Sequence, residues 1–174
     1  MRLRKFVFKK IPSTNDKSIE LIKKGFKSGI IITDNQTKGR GRYGRKWISL
    51  KGNLFMSVFY LMEKKLDLTQ MTRFNCKIVA STLKKYTKLK ITIKPPNDLL
   101  HEKKKICGIL QEKVNKLNNT YLIVGIGINL IKSPFIKNYP TTHLSKLINK
   151  DISKKKFEIE LKNIFENNLN RLIK

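Results

Sequence analysis

The stretch from Lys105 to Leu130 limits the choice of fold more than any other part of the chain. Lys105 to Val114 and Thr120 to Leu130 are rich in β-formers and are separated by a turn over Lys116-Leu-Asn-Asn119. This pattern predicts a β-hairpin, so the sheet contains an antiparallel pair. Upstream, Ser13-Thr14-Asn15-Asp16 offers helix N-caps, and Ile19, Ile22 and Phe26 follow at helical spacing, predicting a helix over about 15 to 25. Gly29-Ile-Ile-Ile-Thr33 reads as a strand, as do Asn53 to Tyr60 and Lys90-Ile-Thr-Ile-Lys94, the last stopped by Pro95-Pro96. Leu68, Met71, Phe74 and Ile78 mark an amphipathic helix running to about Tyr86. From Thr142 onward, Leu144, Leu147 and Ile148, then Phe157, Leu161, Ile164, Phe165, Leu169 and Leu172, predict two closing helices. The order has no strict βαβ alternation, which predicts an α+β fold, a mixed β-sheet with helices packed on it.

The 174 residues, 40% of them hydrophobic, suffice for one core and one domain over 1–174. No window has the apolar length of a membrane span, and the start, Met1 to Lys10, is charged, without the apolar core of a signal peptide. The expectation is a cytoplasmic protein without a membrane partner. Cys76 and Cys107 lack CxxC spacing and read as small buried hydrophobes. His101 and His143 read as solvated loop residues without a partner at zinc-ligand spacing, so no protein-only metal site is expected. A net charge of +27 at pH 7 would ordinarily indicate a polyanionic partner. Here the excess is mostly lysine dispersed along the chain, the pattern of a solvated surface, so no DNA partner is expected. Arg40, Arg42 and Arg45 are different, because they cluster and thereby suggest a site.

Those arginines belong to Lys38-Gly-Arg-Gly-Arg-Tyr-Gly-Arg-Lys-Trp47, inside a long polar loop over Asp34 to Gly52. Gly39, Gly41 and Gly44 satisfy a dinucleotide-binding pattern, but that fingerprint needs a strand before it and a helix after it, and here a strand follows. Glycines that let the backbone approach a ligand, alternating with guanidiniums that grip oxygens bidentately, suit a phosphate-bearing ligand. Trp47 can stack on a base or cap an apolar pocket. In Lys94-Pro-Pro-Asn-Asp98, prolines aim the Asn97 amide and the Asp98 carboxylate off a sheet edge, a place suited to magnesium or to orienting a lysine. Lys105 opens an apolar strand in which Gly108 leaves room for something to lie against it, and Gly125-Ile-Gly-Ile-Asn129 is either a bulge or a second cleared surface. Taken singly, these segments also read as a basic loop tip, an ordinary turn, a strand-end lysine and a bulge.

Their order and spacing together resemble the successive motifs of biotin protein ligases, over about 13 to 130. The resemblance implies a class II synthetase-like catalytic domain that activates biotin with ATP to biotinyl-5'-AMP and transfers biotin to a lysine of a biotin carboxyl carrier protein. It carries Ser13, Thr14, Asn15 and Gln36 over as contacts of the ureido ring. It gives Arg40, Gly41 and Arg42 the carboxylate and phosphate region, with Lys105 reaching both and Gly108 beside biotin. Arg45, Trp47, Asn97 and Asn129 join Arg42 and Lys105 around the adenylate. Lys105, Asp98, Arg42 and Lys94 are the catalytic candidates, and magnesium is expected to arrive with ATP, near Asp98. Two departures stand out: Pro95 occupies a position where the family usually has tryptophan, and the length leaves no room for the DNA-binding N-terminal domain of some members or the usual C-terminal SH3-like barrel. The expectation is a catalytic domain alone, monomeric or homodimeric, without repressor activity. A lipoate or octanoate ligase, a biotin-binding remnant and a basic nucleic-acid module are the alternatives.

Overall fold

A computed structural model describes residues 2–62 and 67–172, the side chains of Arg171 and Leu172 excepted, so the helical role expected of Leu172 lies outside the described residues. Its elements are β1 (Lys5–Ile11), α1 (Thr14–Lys23), β2 (Ser28–Gln36), β3 (Leu54–Met62), α2 (Leu68–Lys84), β4 (Thr92–Lys94), β5 (Asp98–His101), β6 (Lys104–Lys116), β7 (Asn119–Ile128), α3 (Leu144–Ile148) and α4 (Lys154–Leu172). The strands form one seven-stranded sheet in the order β1-β2-β3-β7-β6-β5-β4. Only β1 and β2 run parallel; every other neighbouring pair is antiparallel. The mixed sheet and the β6–β7 hairpin are those the sequence predicts.

The two-residue period of the strands divides the apolar side chains between two faces. Ile30, Ile32, Met56, Val58, Leu122, Val124 and Ile126 join the large core that α2 and α4 cover with Val79, Leu83, Phe157, Leu161 and Phe165. Ile31, Phe59, Tyr121 and Ile123 face the other way and pack with Leu21 and Ile22 of α1. Ser13 starts α1 as its N-cap, accepting from the Asp16 N–H, and Asp67 does the same for α2 through Gln70. Both cysteines are fully buried in the larger core, and burial pushes their thiols up, Cys76 to about 11.

The structure adds two strands and corrects one expectation. β1 and β5 had no strand prediction. His101 is not solvated: it ends β5 at 8% exposure with its ring Nδ1 3.1 Å from the Lys90 carbonyl, because β4 folds back along β5 and covers it. His143 is half-buried at the N-terminus of α3, its Nδ1 3.1 Å from Ser133 Oγ.

Candidate active site

The α1 face of β7 carries Tyr121 and Ile123 and then, in the same alternation, Gly125 and Gly127. The register places Gly125 between Ser57 of β3 and Leu110 of β6, and Gly127 between Phe55 and Gly108. Where the large side chains stop, the sheet opens into a cavity of about 520 Å³, in the range of small-molecule sites.

One end of that cavity is built from hydroxyls and amides. The Gln36 Oε1 accepts from the Thr14 N–H at 2.9 Å and lies 3.1 Å from the Thr14 hydroxyl. Ser57 Oγ lies 2.7 Å from Thr14 Oγ1 and 2.6 Å from Asn15 Oδ1. Having one proton, Ser57 donates to the Asn15 amide oxygen, which can only accept. The Asn15 amide nitrogen donates to Glu112 Oε2 at 2.5 Å. Ser13 accepts the capping hydrogen bond and keeps its own proton for another partner. A Cβ at Gly125 would lie 2.3 Å from Asn15 Oδ1, so only glycine permits Asn15 to lie flat on the sheet.

The arginine-glycine loop forms the roof. Gly41 N donates to Arg45 O at 2.6 Å and Trp47 N to Gly39 O at 2.9 Å, making a small ribbon whose tip turns through Tyr43 and through Gly44 at φ 71. Arg40 is engaged by protein carboxylates: it donates to Asp16 of α1 and, at 3.0 and 3.2 Å, to both oxygens of Glu112. The hydrogen bond to Asp16 outweighs desolvation and, with Glu112, raises the Arg40 pKa further. Arg40 therefore clamps the loop to α1 and β6, and its guanidinium is occupied without any ligand. Arg42 and Arg45 line the cavity, and Arg42 stacks on the exposed Tyr43 ring with 4.9 Å to its centroid. The Trp47 indole lies on the glycine pair: a Cβ at Gly127 would meet its Cε2 and Cζ2 at 2.4 Å, and one at Gly108 its Cζ3 at 2.8 Å. The buried indole N–H finds no acceptor among the described residues.

The remaining end is cationic. Lys105 Nζ stands 2.8 Å from Asp98 Oδ1 without hydrogen-bond alignment, and 5.3 Å from the centre of the Trp47 ring. Asn97 and Asn129 line the cavity while serving the scaffold. The Asn97 amide donates to Ile109 O at 2.6 Å and that of Asn129 to Thr142 O at 3.1 Å. Lys94 is exposed on β4, with Nζ over the Tyr139 ring rather than lining the cavity. Thus Ser13, Thr14, Asn15, Gln36, Arg40, Gly41, Arg42, Arg45, Trp47, Asn97, Asp98, Lys105, Gly108 and Asn129 converge on one cavity, and Lys94 stands behind it.

Glu112, Asp16, Ser57 and Tyr139 were missed from sequence. Glu112 was accessible in principle, since it shares a strand face with Gly108 and Leu110 by period two. Tyr139 had no such signal. Among the described residues no group of three or more His, Cys, Asp or Glu could hold a metal, and no helix is long and apolar enough to cross a membrane.

Residues 7–129, which hold most of the lining of this cavity, match the model of the biotin/lipoate A/B protein ligase family. The chain belongs to that family. Among curated relatives, the bifunctional ligase/repressor BirA of Escherichia coli (strain K12) is 33% identical over 126 residues, covering 69% of this chain and 38% of the relative. That of Bacillus subtilis (strain 168) is 34% identical over 128 residues, covering 71% and 39%. The chain thus spans under half the length of these relatives. Among solved structures, a biotin protein ligase from Aquifex aeolicus in complex with biotin and ATP superposes with a TM-score of 0.80 at 30% identity, over 97% of this chain and 71% of that one. A bipartite lipoate protein ligase from Thermoplasma acidophilum shares the fold at 16% identity and a TM-score of 0.63, over 98% of this chain and 84% of that one.

Proposed function

We infer that this chain is the catalytic unit of a biotin protein ligase, which forms biotinyl-5'-AMP from biotin and ATP and transfers biotin to a lysine of a biotin carboxyl carrier protein in the cytoplasm. The observation that carries this reading is a single cavity with a hydroxyl-and-amide end and a cationic end. A ureido ring offers two N–H donors and one carbonyl acceptor, which Thr14, Asn15, Gln36 and Ser13 can match. Biotin's carboxylate then points toward Arg42, Arg45 and Lys105. A lipoyl ring has no urea and cannot exchange hydrogen bonds with these hydroxyls and amides, which disfavours that substrate.

Two displacements follow. The biotin carboxylate attacks the α-phosphorus of ATP and pyrophosphate leaves, while Lys105, Arg42 and Arg45 stabilise the negative charge that accumulates. A carrier lysine then gives one proton to Asp98, its nitrogen bonds to the acyl carbon, the C–O bond to phosphate breaks with its electron pair on AMP, and the second N–H proton passes to solvent. Magnesium enters with ATP as part of the substrate. Trp47, on its glycine pair, supplies an apolar wall, and Asn97, Asn129 and Lys94 support the cationic end.

The deciding experiment mixes the protein with biotin, magnesium ATP and an acidic biotin carrier domain and follows the carrier mass. A gain of one biotin on one lysine supports the reading; a carrier unchanged, with no biotinyl-adenylate formed, overturns it. Glu112→Gln removes one of the two carboxylates holding Arg40, and biotin is expected to dissociate about tenfold faster, the scale of one charge-assisted hydrogen bond, by stopped-flow fluorescence. With a net charge of +27, transfer to an acidic carrier is expected to lose kcat/KM as salt is raised, while pyrophosphate release in the first step changes far less.

A further inference from the structure

Tyr139 ties the Asp98 carboxylate to the segment that follows β7. Its hydroxyl donates to Asp98 Oδ2 at 2.6 Å, while Asp98 Oδ1 faces Lys105 Nζ at 2.8 Å. Two ammoniums lie over its ring, Lys94 Nζ 4.8 Å and Lys105 Nζ 5.5 Å from the centroid. The segment is stitched to β6 at Lys105 itself, whose N–H donates to Pro140 O at 2.8 Å and whose carbonyl accepts from Thr142 N at 2.9 Å. Tyr139 is therefore held in register with Lys105. Burial first, then the hydrogen bond and charge of Asp98, push its hydroxyl well above the ordinary tyrosine range, and Arg45 opposes this only in part. The hydroxyl remains a donor at neutral pH.

We propose that Tyr139 is a positioning residue for the amine-transfer half of the reaction, holding Asp98 so that the carboxylate accepts a proton from the incoming lysine ammonium. This rests on the ligase reading above. Without the hydroxyl, Asp98 is free to turn and align with Lys105 as an ordinary hydrogen-bonded ion pair, and both its oxygens are drawn from the carrier amine. With Oδ2 fixed by Tyr139, Oδ1 stays out of alignment with Lys105 and keeps its lone pairs for an incoming donor. The adenylation half involves no incoming amine; it needs the Lys105 ammonium, which stays beside Asp98 in either orientation of the carboxylate.

Tyr139→Phe keeps the ring and its cation contacts and removes only the hydroxyl, so single-turnover assays can separate the two halves. The preformed adenylate complex is chased either with an acidic biotin carrier domain, whose lysine is charged, or with hydroxylamine, which is already neutral at the assay pH. Expected is a loss of about tenfold in transfer to the carrier, with pyrophosphate release and the hydroxylamine reaction each within about twofold of the parent protein. A merely structural role would slow both amines alike. Equal losses with the two amines, or no loss with the carrier, would overturn the proposal. A parent protein that forms no adenylate from biotin and ATP would remove the ligase reading, and this proposal with it.

Discussion

Lys105→Ala is expected to slow biotinyl-adenylate formation by about 10²- to 10³-fold, the scale of removing one preorganised charge donor from a water-poor site. Lys105 is held at the cavity through both its backbone and its side chain. Its backbone is fixed on both sides by Pro140 and Thr142, its ammonium lies 2.8 Å from Asp98, and its aliphatic stem passes over Gly108 beside Trp47. Arg42 and Arg45 approach from the loop on the roof of the cavity, so neither stands where β6 delivers the Lys105 charge. Removing the ammonium also leaves the Asp98 carboxylate with Tyr139 alone, at a modest cost in stability of about 1–3 kcal/mol. Lys105→Met retains the stem and should lose as much activity as the alanine variant with less effect on the melting temperature. Pyrophosphate release measured on both variants checks this, and wild-type rates in either would remove Lys105 from the chemistry.

Gly127→Ala should weaken biotin binding by about 10- to 100-fold, because the added methyl overpacks the floor of the cavity. Its Cβ would lie 2.4 Å from two carbons of the Trp47 indole. The backbone cannot retreat, since β7 is hydrogen-bonded to β3 on one side and β6 on the other at this position. The indole must lift instead, and the Gly39–Trp47 ribbon with it. Trp47 is the sole tryptophan of the chain, so its emission reports the displacement directly. A red shift in the unliganded variant together with the loss of affinity is the expected pair of results. Unchanged emission with parental affinity would show that the glycine is not needed as a floor for Trp47.

Much of the site was legible in the sequence because its motifs are local. Ser13-Thr14-Asn15 begins a helix, the arginine-glycine run needs glycines where the chain turns and where it meets the sheet, and Gly108, Gly125 and Gly127 interrupt strands that otherwise alternate. What each glycine makes room for was not legible. The neighbours are Trp47 over Gly108 and Gly127, and Asn15 over Gly125, and those contacts exist only once β6 and β7 pair in register. β1 was hidden for another reason: Phe6 and Phe8 alternate as strand residues, but the exposed Lys5, Lys9 and Lys10 of this edge strand interrupt the apolar pattern.

The sequence by itself determined the mixed sheet, the hairpin at its centre, the helices on it and the residue types that gather at the site, because periodicity, caps and turn chemistry act over a few residues. Only the tertiary structure decided the pairings across the chain. Arg40 is held by Asp16 and Glu112 instead of standing free, and Asp98 is shared between Lys105 and Tyr139. Three of these pairs, Arg40 with Asp16, Arg40 with Glu112 and Asp98 with Tyr139, join residues far apart in sequence, so their geometry follows from strand order and register and leaves no local pattern to read.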